Sequence, residues 1–248
     1  MALTDNLISV WHTNNDWQDS WGTNHGTATG ATFSTSSKLG SHAGSFDGVD
    51  DKVAIAANAS LDLSGEVSIM SWFNADTLDT ANGNVIFGKY APVHAYLIST
   101  TGSPKIQFSL WFSATQYYVF SSTVLSTGGW YQVVGTRLGT AMKIYLNGIY
   151  EATVACPAGA FNATSGGLEI GRADSNANCH DGLIDELAIW SRALTDGGVA
   201  VGQTAGGEVA ELWNGGAGIE IGAAAAASVG QILHGKTLKS LTMGRLVR

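Results

Sequence analysis

Short β-type runs succeed one another through residues 7–171, separated by turn residues and never by a segment with helical apolar spacing. Residues 67–73, 85–90, 96–98, 105–110 and 130–136 each read as strands, with Thr101-Gly102-Ser103-Pro104 typical of the punctuation between them. The clearest local signal is 143–151, where Asn147-Gly148 sits between Lys-Ile-Tyr-Leu and Ile-Tyr-Glu. Asn-Gly in that setting predicts a type I′ hairpin, because both central residues tolerate a positive φ. The run at 67–73 is partly apolar on both faces, which predicts two antiparallel sheets packed face to face. With 32 glycines, 3 prolines and 45% apolar residues, the chain has turns in plenty and enough apolar mass for a core.

One short helix is expected over 208–214, where Val209, Leu212 and Trp213 share a face; the Gly215-Gly216 pair would end it. A single domain over 1–219 and a separate basic segment over 220–248 follow from the charge distribution. The first 220 residues hold all 20 acids and 8 of the 12 bases, whereas 221–248 has no acid and carries Lys236, Lys239, Arg245 and Arg248. The acidic part offers no nucleic-acid surface. The polar series Lys236, Lys239, Thr242, Arg245 and Arg248 recurs every three positions, which a helix would scatter around its circumference. The segment therefore reads either as a disordered addition or as an assembly arm that docks on a neighbouring subunit, with Leu233, Leu238, Leu241, Leu246 and Val247 to bury. No run of about 18 apolar residues predicts a membrane span. The first residues, Met1-Ala2-Leu3-Thr4-Asp5, lack the basic and apolar regions of an export signal. Cys156 and Cys179 fall in expected loops, and their spacing leaves both a disulfide and two free thiols open.

Two stretches carry a family resemblance: Ser45-Phe46-Asp47-Gly48-Val49-Asp50-Asp51, and Gly182-Leu183-Ile184-Asp185-Glu186-Leu187-Ala188-Ile189-Trp190. Between them lie Trp130-Tyr131-Gln132-Val133-Val134-Gly135-Thr136 and Gly167-Leu168-Glu169-Ile170-Gly171, and before them the polar loop at 14–26. This ordered set resembles the laminin-G-like, or concanavalin-A-like, jelly-roll family over residues 3–219. The resemblance implies an all-β, two-sheet antiparallel jelly-roll sandwich. It also implies a structural Ca²⁺ held by Asp185, with oxygens from the loop of Asp19 and from Asp47. The residues speak to Asp185 independently: in a strand it would share a face with Leu183, Leu187 and Ile189, where a bare carboxylate needs a cation or hydrogen-bond donors. Backbone amides of the neighbouring loop are the alternative to calcium. The Asp50-Asp51 pair reads as a solvated turn or as a second metal position.

No catalytic pattern appears. Glycosidases of this fold set two carboxylates on one face of a strand, whereas Asp185 and Glu186 are adjacent and would point to opposite faces. No Gly-x-Ser-x-Gly elbow is present. Sugar binding is the stronger candidate, through aromatic faces and short polar side chains. Trp111, Tyr117 and Tyr118 cluster near one turn, and Asp174, Asn176 and Asn178 lie in one polar loop. The reading that unites a lectin-like fold, no export signal and a basic tail is a non-enzymatic virion decoration or tail-associated adhesion protein at a virion or cell exterior. Its partners would be capsid or tail subunits, or copies of itself, through the tail, together with a surface glycan. A free-standing bacterial carbohydrate-binding module is the alternative.

Overall fold

A computed structural model describes residues 1–78, 83–90, 92–172 and 178–222. The strands in chain order are β1 (Leu7–Trp11), β2 (Gly26–Thr29), β3 (Thr32–Ser34), β4 (Ala43–Asp47), β5 (Lys52–Ile55), β6 (Val67–Ala75), β7 (Val85–Lys89) and β8 (Tyr96–Thr100). They continue with β9 (Ile106–Phe112), β10 (Thr115–Phe120), β11 (Trp130–Leu138), β12 (Ala141–Leu146), β13 (Ile149–Ala155), β14 (Leu168–Ile170) and β15 (Asp181–Trp190). One helix, α1 (Gly207–Trp213), follows. Sheet A runs β13-β12-β11-β6-β15-β4-β3, with β1 also on β15; sheet B runs β10-β9-β8-β7-β14-β5-β2. The two antiparallel sheets form the jelly-roll sandwich that the motifs implied.

Period-2 alternation assigns each strand an inner face. In β9, Ile106, Phe108 and Leu110 enter the core between the sheets, where they meet Val133, Ile144 and Ile189 of sheet A. Gly135 is required on β11 because a Cβ there would lie 2.5 Å from the Phe108 ring. The Asn147-Gly148 turn has φ of 51° and 73°, as a type I′ hairpin demands.

The middle of sheet A is buried on both faces, which explains why β6 is buried along nearly its whole length, Ser68 and Ser71 included. Its outer face carries a second core of Met70, Trp72, Val134 and Trp190, roofed by Leu3, Val209, Leu212 and Ile221. Helix α1 supplies the roof: Trp213 stacks on Trp72 at 5.5 Å, and the helix ends at Asn214, whose φ of 46° reverses the chain. The outer face of sheet B has no such cover among the described residues. Both cysteines are buried free thiols; Cys179 Sγ donates to the Val49 carbonyl at 3.2 Å. No helix among the described residues is long and apolar enough to cross a membrane. The basic residues Lys236, Lys239, Arg245 and Arg248 lie outside the described residues.

Candidate functional site

The open face of sheet B is built from the alternate positions that the core leaves over. The registers align Gln116, Tyr118 and Phe120 of β10 with Trp111, Ser109 and Gln107 of β9, and align Ser109 and Gln107 with Leu97 and Ser99 of β8. Two amides lie across these rows, Gln116 Nε2 donating to Ser109 Oγ at 3.1 Å and Gln107 Nε2 to Ser99 Oγ at 2.8 Å. Beside them Val85, Tyr90, Leu97 and Trp111 form a small apolar cluster of their own. Gly88 makes room for it, since a Cβ there would lie 2.5 Å from the Tyr90 hydroxyl. His94 packs edge-on against Trp111, with ring centroids 4.9 Å apart, and the two line a cavity of about 300 Å³.

A neighbouring cavity of about 360 Å³ lies over β14 and β5, lined by Tyr90, Lys52, Glu169 and Arg172. Lys52 Nζ donates to Glu169 Oε1 at 2.8 Å, and Arg172 Nε stands 3.9 Å from Glu169 Oε2. The face thus joins aromatic surface to hydroxyl, amide and paired charged groups. Among the described residues, Glu169 is the sole carboxylate on the strands of sheet B.

Of the aromatic residues expected at a sugar site, Trp111 and Tyr118 share this face. Tyr118 is 46% exposed, with its ring 4.8 Å from that of Phe120. Tyr117 does not belong with them: as the odd residue of the alternation it turns inward, meeting Phe112 edge-to-face at 5.3 Å. Asn178 sits where its carbonyl accepts the Val85 amide at 3.0 Å, at the far end of β7 from Tyr90. Asp174 and Asn176 lie outside the described residues. Sequence reasoning missed Gln107 and Ser109, although their alternation with Ile106, Phe108 and Leu110 marked them as outward. It also missed Lys52, Glu169 and Tyr90, which only the strand order brings together.

The acids expected to hold calcium occupy separate places. Asp185 Oδ2 accepts the Lys38 and Leu39 amides, each at 2.9 Å, and Oδ1 accepts the Thr13 hydroxyl at 3.2 Å. Asp19 accepts four amides, those of Val10, Trp21 and Gly22 on Oδ1 and that of Asn24 on Oδ2. Asp47 is exposed, and its partner across the sheet is Asp181, which puts it roughly 13 Å along β15 from Asp185 at ~3.3 Å per residue. Calcium needs six to eight or so oxygens around one point, and Asp185, Asp19 and Asp47 do not converge on one. Asp47 instead approaches Asp50 and Asp51, with ligand oxygens all within 4.8 Å of one another.

The face assignment of Asp185 is also revised. Asp185 pairs with Trp72 but Ala188 with Met70, so β15 carries one extra residue in a bulge, and Glu186 there has a φ of 47°. Leu187 and Ile189 remain in the inter-sheet core, while the bulge turns Asp185 and Glu186 together toward the roof of sheet A. Glu186 Oε2 pairs with His12 Nδ1 at 2.6 Å, and Oε1 accepts the Ile221 amide at 2.6 Å. Burial pushes the Asp185 carboxyl up to about 6 and that of Glu186 to about 7. Burial opposes a charge on His12, yet Glu186, Glu220 and Asp185 outweigh it and raise its pKa. This buried cluster clasps residues 220–222 to the sandwich; Asn14 adds a bond to Glu220 at 2.8 Å.

The sequence pattern of the concanavalin A-like lectin/glucanases superfamily matches residues 47–200. No protein of curated function matches the chain by sequence. Among solved structures, domain 4 of an extracellular arabinanase from Geobacillus stearothermophilus, in complex with arabinotriose, is 24% identical with a TM-score of 0.63, over 76% of this chain and 94% of that one. The binding domain of Paraclostridial Mosquitocidal Protein 1 is 15% identical with a TM-score of 0.68, over 86% of this chain and 53% of that one. The botulinum neurotoxin serotype D ligand binding domain, in complex with N-acetylneuraminic acid, is 16% identical with a TM-score of 0.62, over 77% of this chain and 48% of that one. The chain spans about half the length of those two toxin domains. These likenesses carry the fold, and with the sequence match over residues 47–200 they place the chain in the concanavalin A-like lectin/glucanase superfamily.

Proposed function

We propose that the open face of sheet B is a non-catalytic carbohydrate-binding surface. The observation that carries this reading is the juxtaposition of Trp111, braced by His94, with the Gln116–Ser109 and Gln107–Ser99 rows. An aromatic face receives the C–H side of a sugar ring, while hydroxyls and amides exchange hydrogen bonds with its hydroxyl groups. The bound arabinotriose and N-acetylneuraminic acid of the two solved relatives support the ligand class. On a glycan array followed by titration calorimetry, Trp111→Ala is expected to weaken binding roughly tenfold, the order that one lost aromatic contact carries. Gln116→Ala should weaken it less, and both variants should keep a cooperative melt. A wild-type chain that binds nothing across neutral, arabinan-derived and sialylated glycans would remove the proposal.

Calcium remains a proposal for this chain, relocated from Asp185 to Asp47, Asp50 and Asp51. Burial and the neighbouring Asp47 and Asp50 push the Asp51 carboxyl up, a cost that a shared cation would relieve. Added Ca²⁺ is expected to raise Tm in the wild type and leave the Asp47→Asn/Asp50→Asn variant unmoved. A calcium-dependent rise that vanishes only in Asp185→Asn would return the site to β15.

A second reading has the domain displayed on a virion through its basic tail. It is favoured by the clasp at residues 216–222, where Lys38 Nζ donates to the Gly216 carbonyl at 2.6 Å and Glu186 accepts the Ile221 amide. The tail therefore starts from a fixed point on the domain. Deleting residues 223–248 should abolish attachment to particles while the melt of the domain stays the same; equal attachment with and without the tail would end this reading.

A further inference from the structure

The geometry points to the free edge of β10 as a self-association surface, on which a second copy of this chain adds its own β10 in antiparallel register. β10 is the terminal strand of sheet B, and no described residue pairs with its outer side. Its six residues pair with β9 without a bulge, so the edge is flat. Natural sheets blunt such edges with charge, proline or a bulge, and β10 has none of these.

The charge distribution identifies the occupant. Acids outnumber bases 20 to 8 over residues 1–220, so two copies repel one another over most of their surfaces. Between Lys105 and Arg137 there is no Asp, Glu, Lys, Arg or His at all. That interval contains β9, β10 and most of β11. Of the charged groups nearest to it, Arg137 donates to the carbonyls of Gly65, Pro157 and Gly159, and Glu151 accepts from the amides of Ser122 and Thr123, while Lys105 stands beside Phe120 at one end of the strand. The β10 edge is thus where two like-charged copies meet without repulsion. A strand of one sign would fail against itself, and this one carries no sign.

Symmetry then sets the register. A two-fold axis that keeps like faces together must place a residue opposite itself. Tyr118, exposed on the open face, is the central outward residue of β10, and Gln116 then stands opposite Phe120 of the second copy. Aromatic cross-strand pairs of this kind stabilise an antiparallel ladder. The result is one continuous sheet across two molecules, made by strand addition.

Light scattering on the full-length chain across a dilution series tests this directly. A dimer is expected for the wild type and for Tyr118→Phe. Tyr118→Lys sets two ammonium groups face to face on the axis and should give monomer at every concentration. Gln116→Lys, at a position that is already polar, should do the same and decides the matter if Tyr118→Lys melts early. A wild type that stays monomeric throughout overturns the proposal, as does a dimer that survives in a folded Tyr118→Lys or Gln116→Lys chain. Dependence of the dimer on residues 223–248, with β10 variants still dimeric, overturns it in favour of the tail.

Discussion

Arg192→Ala is expected to destabilise the domain by about 3–5 kcal/mol, the range seen when one partner of a buried ion pair is removed. Arg192 leaves the end of β15 and meets Glu208 of α1 with two hydrogen bonds, at 2.8 and 2.6 Å, and both side chains are nearly closed to solvent. The same guanidinium donates to the carbonyls of Asp5 at 2.6 Å and Ala2 at 2.9 Å. One side chain therefore joins the N-terminal residues, the last strand and the helix that roofs sheet A. Burial works against the Glu208 charge, but Arg192 and Thr195 more than offset it and hold the carboxyl below its usual range. Without Arg192 that charge stays buried with Thr195 alone. In thermal melts the variant should lose on the order of 10 °C. The Arg192→Met/Glu208→Leu double variant should recover much of the loss, because the buried charge is gone along with its partner. A single variant that melts within a degree of wild type would show that the pair does not hold the roof in place.

Stability should also rise on mild acidification, by on the order of 1–2 kcal/mol between pH 8 and pH 5, the gain being reduced by His180, whose imidazole burial holds down to about 4 and which resists protonation in the folded state. The sign follows from Asp185 and Glu186, whose carboxyls burial pushes up to about 6 and about 7. Both take up protons more readily folded than unfolded, so the folded state is favoured as pH falls toward the unfolded values and loses that advantage as pH rises through the folded ones. His12 is raised as well and acts in the same direction; it shares one proton with Glu186, so the pair counts once. Glu151, Asp196 and Glu208 are lowered, and their contribution disappears only in more acidic solution. The expected profile is a maximum near pH 5, with the gain from pH 8 shrinking in Glu186→Gln. A melt that falls steadily from pH 8 to pH 5 would contradict the buried, protonatable cluster.

The strands were legible because alternation is a local property. Ile106-Gln107-Phe108-Ser109-Leu110 announces its inner and outer faces without any partner, and Asn147-Gly148 announces its turn through the φ values those residues tolerate. The helix was legible for the same reason, from the spacing of Val209, Leu212 and Trp213. Tyr117 and Tyr118 show the limit: neighbours in sequence near one turn, they point to opposite sides of the sheet, and proximity alone gave no means of separating them.

Asp185 shows a deeper limit. Its burial and its need for partners followed from the apolar residues around it. That its partners are the Lys38 and Leu39 amides, and that Glu186 turns to the same side, depends on one extra residue in β15 relative to β6. Bulges arise where two strands are fitted to each other, so a single strand carries little trace of them. Lys52 and Glu169 likewise become neighbours only because β14 lies beside β5. By itself, then, the sequence determined most of the longer strands, the Asn147-Gly148 turn and the short helix, which rest on local spacing, and the family, which rests on ordered motifs. The tertiary structure decided which face of which sheet stays open, which acids share a site and which edge is left unpaired, because those depend on strand order and on where the roof of sheet A closes.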